Sequence, residues 1–250
     1  MLLGGSPKRP TITTEFLHAE LRLDAAPAEL AVQVWRQDAP QVELDFHFSV
    51  VLHKILFLVD RVVLHGAALR SQDQVSLFLG EKGAGKSTIC LALARAGATV
   101  LGEDRLVLRA TDRGFLVSGG DERSRVTERT EMHFFSEPLA VTPRDFAGTL
   151  KKEIRMGDHF ESRPFEDFPA DRLFFPRVSG RLQVTPMSSQ AALLRLLRLT
   201  AHWHRFAGAA DQRHFLDFLA GFIDSVRSYQ VDLSANLSDL ERLGELLRNA

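Results

Sequence analysis

Eight residues raise the chemical question. Gly80 to Ser87 read Gly-Glu-Lys-Gly-Ala-Gly-Lys-Ser, and Thr88 follows. The run fits G-x-x-x-x-G-K-[ST] at every fixed position. Gly80, Gly83 and Gly85, with Ala84 between the last two, let the backbone turn tightly and bring N–H groups against phosphate oxygens. The helix expected next points about half a positive charge at the same place. Lys86 can reach the terminal phosphates of a nucleoside triphosphate. Ser87 can ligate magnesium, and Thr88 adds a second hydroxyl. A lysine among three glycines has little structural use, so the stretch reads as a nucleotide grip rather than a plain turn.

A grip does not choose an acceptor. Phosphoryl transfer passes through a loose transition state in which positioning and charge neutralisation dominate. It needs one carboxylate for the metal and another to orient the acceptor hydroxyl. Glu103 and Asp104, in Val-Leu-Gly-Glu-Asp-Arg, end the strand expected after the loop helix. In a parallel sheet that end faces the nucleotide crevice. Neighbouring strand residues point to opposite faces, so both acids reach one site only if the strand ends and bends there. Otherwise they are a solvated acidic pair. His65, in Val-Val-Leu-His-Gly-Ala-Ala-Leu, is either a satisfied histidine of an apolar strand or a group beside the acids. A carboxylate would favour its charged form. Its strand precedes the loop strand and is expected to neighbour it.

The elements that must position these residues follow from periodicity. Thr11 to Phe48 alternates loosely and reads as short strands around a Pro- and Ala-rich turn. Ser49 to Arg61 reads as a buried helix, and Val62 to Arg70 as one strand. Gln74 to Gly80 is a short apolar strand feeding the loop, and Lys86 to Gly97 is a helix stopped by Gly97. Ala98 to Ser118 reads as two strands joined at Thr-Asp-Arg-Gly. Val126 to Arg181, rich in Phe, Pro and Arg, reads as irregular: a lid, a binding segment or irregular core. The last third reads as helical, with apolar stripes that are core faces and a capping box at Ser238 and Glu241. The expected organisation is a β-rich extension with a helix over 1–60, packed on the core; a loop-bearing core over 61–185; and a helical portion over 186–250 in the same compact domain.

Composition narrows the partners. The 250 residues carry a net charge of -1, with 45% hydrophobic and 25% charged residues, as in an ordinary soluble globular protein. A nucleic-acid partner is not expected without a basic excess. The longest apolar stretch, Phe48 to Leu69, is interrupted by Lys54, Asp60 and Arg61, so no membrane span is expected. The start has too short an apolar run for a signal peptide, and its basic residues come after it. Cys90 is the sole cysteine, which forbids an internal disulfide and reads as a small buried apolar residue. A cytoplasmic protein is expected. Two further clusters are open. Lys151, Lys152 and Arg155 around Glu153 are a solvated turn or touch a transferred phosphate. His202, Trp203, His204 and His214 could suggest metal, but alternate helix residues diverge.

The order His65-Gly66, phosphate loop, helix ending in Arg-Ala-Gly, then Glu103-Asp104-Arg105 resembles the catalytic domain of the HPr kinase/phosphorylase family and its stand-alone relatives. The match runs from about Leu64 to Val107. Where the family has Asp as first acid, this chain has Glu103. Where the family has Glu-Ile-Arg-Gly, it has Glu153-Ile154-Arg155 without the Gly directly after. The resemblance implies an α/β fold with a central mixed sheet of the phosphoenolpyruvate-carboxykinase kind, and an ATP- or GTP-dependent, magnesium-dependent kinase of a serine or similar hydroxyl. It implies Glu103 and Ser87 on the magnesium side, Asp104 at the acceptor proton and His65 beside the reacting phosphate. The acceptor would be a peptide, a protein or a small molecule such as free serine, and a symmetric homo-oligomer is implied by analogy. The alternatives are a plain NTPase and a nucleotide-gated binding module without phosphotransfer.

Overall fold

The computed structural model describes residues 2–6, 9–22, 29–36, 40–146, 148–204 and 209–250. The chain divides into two compact units, Met1–Val62 with Trp203–Gly208 and Val63–His202 with Ala209–Ala250.

In the first unit, β1 (Leu2–Ser6), β2 (Arg9–Thr13), β3 (Leu17–Arg22) and β4 (Glu29–Val34) form an antiparallel sheet in chain order. Helix α1 (Gln41–Phe57) follows. Alternating burial puts Leu17, Ala19 and Leu21 on one face of β3, where they join Ile12, Val51 and Ile55 in a small core. Val42 to Phe48 alternates in sequence as a strand does, yet it opens α1. Pro40 supplies a reason: it caps the helix, its fixed φ of -56° suits a helix start, and it has no N–H for a β-ladder. The Pro- and Ala-rich turn at 23–28 lies outside the described residues.

The remaining strands are β5 (Arg61–Leu64), β6 (Gly66–Ser71), β7 (Gln74–Leu79), β8 (Thr99–Glu103), β9 (Leu106–Thr111), β10 (Gly114–Gly119), β11 (Arg123–Val126), β12 (Arg144–Asp145), β13 (Leu150–Arg155), β14 (Phe168–Pro169), β15 (Arg172–Ser179), β16 (Gln183–Pro186) and β17 (Arg227–Ser234). The helices are α2 (Lys86–Arg95), α3 (Glu128–Phe134), α4 (Ser189–His204), α5 (Ala209–Ser225) and α6 (Leu243–Arg248), with a 3-10 turn at Leu237–Arg242. The central sheet of the second unit is mixed, in the order β16-β17-β15-β7-β6-β8. Strand β15 runs parallel to β7 and β17; β6 runs antiparallel to β7 and β8. The protein is a mixed α/β chain with several sheets and six α-helices among the described residues. No described helix is long and apolar enough to cross a membrane.

The sheet is held by apolar layers. Leu77, Phe78, Leu173, Phe174 and Phe175 are fully buried, as expected of near-continuous apolar strands covered on both faces. Phe78 stacks on Phe174 at 5.2 Å and Phe174 on Tyr229 at 5.1 Å, each pair worth roughly 0.5–1.5 kcal/mol beyond burial. Ile89, Cys90, Leu91 and Leu93 of α2 join this core.

Three further expectations change. The Phe-rich segment read as irregular contains β15, a central strand. Pro176 lies within that strand, although proline cannot donate to a ladder. Here β7 pairs with β15 only as far as Phe174, so Pro176 lies beyond the β7 partner, beside the glycine loop. The C-terminal portion, read as helical, also contributes β17, whose Tyr229, Val231 and Leu233 recur with the period of a strand. The expected capping box is replaced by Asn236, whose side chain caps the 3-10 turn by accepting from the Ser238 N–H. The apolar stripe from Phe215 to Val226 is buried, as a core face should be.

Candidate active site

The site begins with where strands stop. Ala67 pairs with Phe78 on one side and Glu103 on the other, so the three lie in one row across the sheet. Gly80 follows Phe78 by two residues, and β7 and β8 run the same way on either side of β6. Their C-terminal ends therefore open on the same edge of the sheet.

The predicted strand Val62 to Arg70 breaks at His65, which leaves β5 and β6 in different sheets. Gly66 permits the break: a Cβ there would meet Leu79 Cδ2 at 2.3 Å and the Phe78 carbonyl oxygen at 2.7 Å. The predicted strand after Ala98 breaks likewise at Asp104, which takes φ 68°. Left-handed backbone is costly for most L-residues, and Asp tolerates it better than most. The strand ends and bends there, and both acids reach the same cleft.

That cleft holds about 680 Å³ and is lined by His65, Gly83, Gly85, Lys86, Ser87, Thr88, Glu103 and Asp104, among others. Gly80 and Ala84 do not line it. They form the base of the turn, where the Ala84 N–H donates to the Glu81 carbonyl and the Gly80 carbonyl accepts from Lys86. Gly85 caps α2 at φ 95°, and a Cβ on it would meet Leu233 Cδ1 at 2.4 Å. A side chain at that position is excluded twice, by conformation and by contact.

The charges in the cleft differ by burial. Lys86 is buried, and its Nζ donates to the carbonyls of Gly80 (2.7 Å) and Glu81 (2.9 Å); burial lowers its pKa. Glu103 is 4% exposed, and burial raises its pKa. The Ser87 and Ser124 hydroxyls pull it back in part, yet Glu103 Oε2 and Ser124 Oγ have no hydrogen-bond partner among the described residues. Asp104 is half-exposed. His65 Nδ1 stands 3.0 Å from its Oδ1 and 3.0 Å from its carbonyl oxygen. The His65 hydrogen bond, chiefly, holds the Asp104 pKa below its ordinary value. Cys90 is fully buried behind Glu103, and burial raises its thiol pKa well above the usual range, as suits a core residue.

The same cleft has a second wall that sequence reasoning missed. Strand β11 pairs with β13, Arg125 facing Glu153 in register. Arg123, Arg125 and Arg129 line the cleft. Arg123 Nη2 binds Asp121 Oδ2 at 2.6 Å, Arg125 Nε lies 3.3 Å from Glu153 Oε2, and the Arg125 guanidinium sits 4.5 Å over the Phe146 ring. Lys82, Arg105 and Lys151 also face the cleft, without an ion pair among the described residues. The missed signal is the alternation Arg-Ser-Arg-Val, which puts both arginines on one face of a short strand. Of the cluster around Glu153, Lys151 and Glu153 reach the cleft. Lys152 turns away to a buried pair with Glu131 at 2.7 Å, and Arg155 pairs with Glu122. The side chains of His202, Trp203 and His204 lie outside the described residues.

No group of three or more His, Cys, Asp and Glu among the described residues is arranged to hold a metal ion. A magnesium ion needs less from the protein, since it keeps waters and is commonly held by one or two carboxylates with substrate phosphates. Glu103 Oε2, buried and without a partner beside the Ser87 hydroxyl, fits that requirement.

No protein-family model matches this chain, and no curated protein matches it in sequence. Among solved structures, the Hpr(Ser) kinase/phosphatase from Coxiella burnetii is similar, with a TM-score of 0.39 and 13% identity over 75% of this chain and 94% of that one. A likeness that slight leaves the function to be argued from this chain's own residues.

Proposed function

We propose that this chain is an ATP- or GTP-dependent, magnesium-dependent kinase of a hydroxyl, read as a serine of a peptide or protein or as free serine. One observation carries the reading. Two consecutive acids, one buried with an orphan oxygen and one held ionised by a histidine, open on the cleft that the glycine loop lines.

The backbone N–H groups of Gly83 to Thr88 and the Lys86 ammonium would hold the phosphates. Ser87 and Glu103 would hold magnesium, which when bound neutralises charge on the phosphoryl group. Asp104, ionised, accepts the hydrogen bond of the acceptor hydroxyl and lines its oxygen up with the γ-phosphorus. A new O–P bond forms, the bond from γ-phosphorus to the bridging oxygen breaks, the nucleoside diphosphate leaves, and the acceptor proton passes to Asp104. An ordinary Asp, of pKa about 3.9, is a weak base, but a loose transition state asks for little deprotonation before transfer. His65 positions Asp104 by gripping both its carboxylate and its carbonyl. Arg123, Arg125 and Lys151 would stabilise charge on the phosphoryl oxygens from the second wall.

The test incubates the protein with magnesium and γ-labelled ATP in an extract of its source cell, beside Asp104→Ala. Label on a peptide, protein or metabolite with the wild type alone, with nucleotide affinity kept in the variant, supports the kinase. Nucleotide binding with neither label nor released phosphate overturns it in favour of a nucleotide-gated binding module.

A further inference from the structure

A second depression, of about 660 Å³, adjoins the cleft, and Lys151 lines both. Its walls come from α3, the loop after it and β13. Met132, Val141 and Leu150 line it and are 78%, 38% and 67% exposed. Isolated exposed apolar side chains need no explanation; three around one groove do. The groove is also preformed. Glu131 Oε1 accepts from Lys152 Nζ at 2.7 Å and from the Leu139 N–H at 2.6 Å, and Lys152 Nζ donates to the Leu139 carbonyl at 2.8 Å. This buried pair ties the loop to both the helix and the strand. With Glu131 and Lys152 satisfied, Glu128 and Glu137 are left along the groove against the single charge of Lys151. Its acidic balance is opposite to that of the arginine wall of the cleft.

We propose that this groove is the acceptor subsite, taking a peptide segment that carries a bulky apolar residue and a Lys or Arg beside the hydroxyl to be phosphorylated. The inference rests on the kinase reading above and narrows its acceptor to a peptide or protein rather than free serine. Continuity through Lys151 brings a chain seated in the groove to the cleft mouth. Met132, Val141 and Leu150 would hold its apolar side chain, and Glu128 and Glu137 its cation.

The experiment uses the full chain and an array of short serine-centred peptides with varied flanks. Retention is measured with a non-hydrolysable ATP analogue, and transfer separately with magnesium and labelled ATP. Bulky apolar and basic flanks should be selected. Met132→Asp and Leu150→Asp, both at exposed positions, should each lower retention of the selected peptides by about tenfold or more, the scale of an interface anchor, with affinity for a fluorescent ATP analogue unchanged. Glu137→Lys should turn the charge preference from basic to acidic. No flank preference, or a preference that these variants leave unchanged, overturns the groove. Transfer to free serine alone, or to serine peptides whatever their flanks, overturns it while keeping the kinase. Selective retention without transfer keeps the groove and overturns the kinase.

Discussion

The two walls of the cleft are built on different principles. The loop wall is desolvated: Lys86 and Glu103 are buried, their pKa values are displaced by burial, and one carboxylate oxygen has no partner. The β11–β13 wall is wet: Arg123, Arg125 and Glu153 are partly exposed and paired with one another. Exposed ion pairs of this kind are worth about 0–1 kcal/mol each, so the second wall adds little to stability and can be rearranged cheaply. A buried charge without full compensation costs much more. In the proposed kinase the loop wall would therefore set whether a nucleotide is held, and the arginine wall would tune how strongly charge is stabilised.

The largest expected effects test that division. Lys86→Met should abolish measurable nucleotide binding by calorimetry. Asp104→Asn should leave nucleotide affinity within about twofold while lowering kcat by roughly 10²–10⁴, the usual span for a general base. Equal loss of binding in both variants would erase the distinction between grip and transfer. Gly85→Ala comes next. The left-handed φ alone costs about 1–2 kcal/mol, and the contact with Leu233 adds to it. Thermal unfolding should show the loss, and nucleotide affinity should fall with it.

Arg125→Ala sharpens the contrast from the other wall. It should lower kcat by about 10- to 100-fold, below the 10²–10³ of a fully buried oxyanion donor, with little change in stability. Arg155→Ala, whose side chain points to Glu122 outside the cleft, should leave both unchanged. The pair separates legible from illegible residues. The loop could be read from sequence because its function depends on local backbone spacing: three glycines, a lysine and a serine within eight residues. Glu103 and Asp104 could be read as candidates, but their convergence depended on one left-handed residue. The arginine wall depends on a pairing across roughly thirty residues, Arg123 with Arg155 and Arg125 with Glu153, which no local pattern states. The same non-local logic hid β15, whose pairing with β7 ends at Phe174, before Pro176 is reached.

Glu103→Gln tests the desolvated wall for stability rather than rate. Burial raises the Glu103 pKa, so the folded state binds its proton more tightly than the unfolded chain. That contribution is complete below the unfolded pKa of about 4.3 and is lost as pH rises through the folded value. At neutral pH the ionised group therefore opposes folding. The neutral amide removes the charge and can donate to Ser124 Oγ, which lacks a partner. The variant should be more stable than wild type by about 1 kcal/mol at pH 7, with the difference shrinking toward pH 4. Magnesium dependence of nucleotide binding should be lost at the same time. A variant less stable at pH 7 would mean that Glu103 is satisfied in the fold without a ligand.

His65→Ala has the smallest effect expected of a residue in the cleft and bears on the boundary between the walls. Asp104 is half-exposed, so its depressed pKa owes more to the His65 hydrogen bond than to its surroundings. A depressed carboxyl stabilises the fold above its unfolded pKa of about 3.9, and that stability is lost as pH falls through the folded value. Removing His65 should raise the Asp104 pKa toward the ordinary value, read by carboxyl carbon NMR. Acid unfolding should shift to slightly higher pH, and the acid limb of kcat/KM should move up with it. Neutral-pH stability should hardly change, because the pair is open to solvent. His65→Gln can restore a donor to the carboxylate without a titrating ring. If it recovers the lower Asp104 pKa and most of the rate, His65 is a positioning residue. If it recovers the pKa but not the rate, the imidazole itself meets the reacting phosphate.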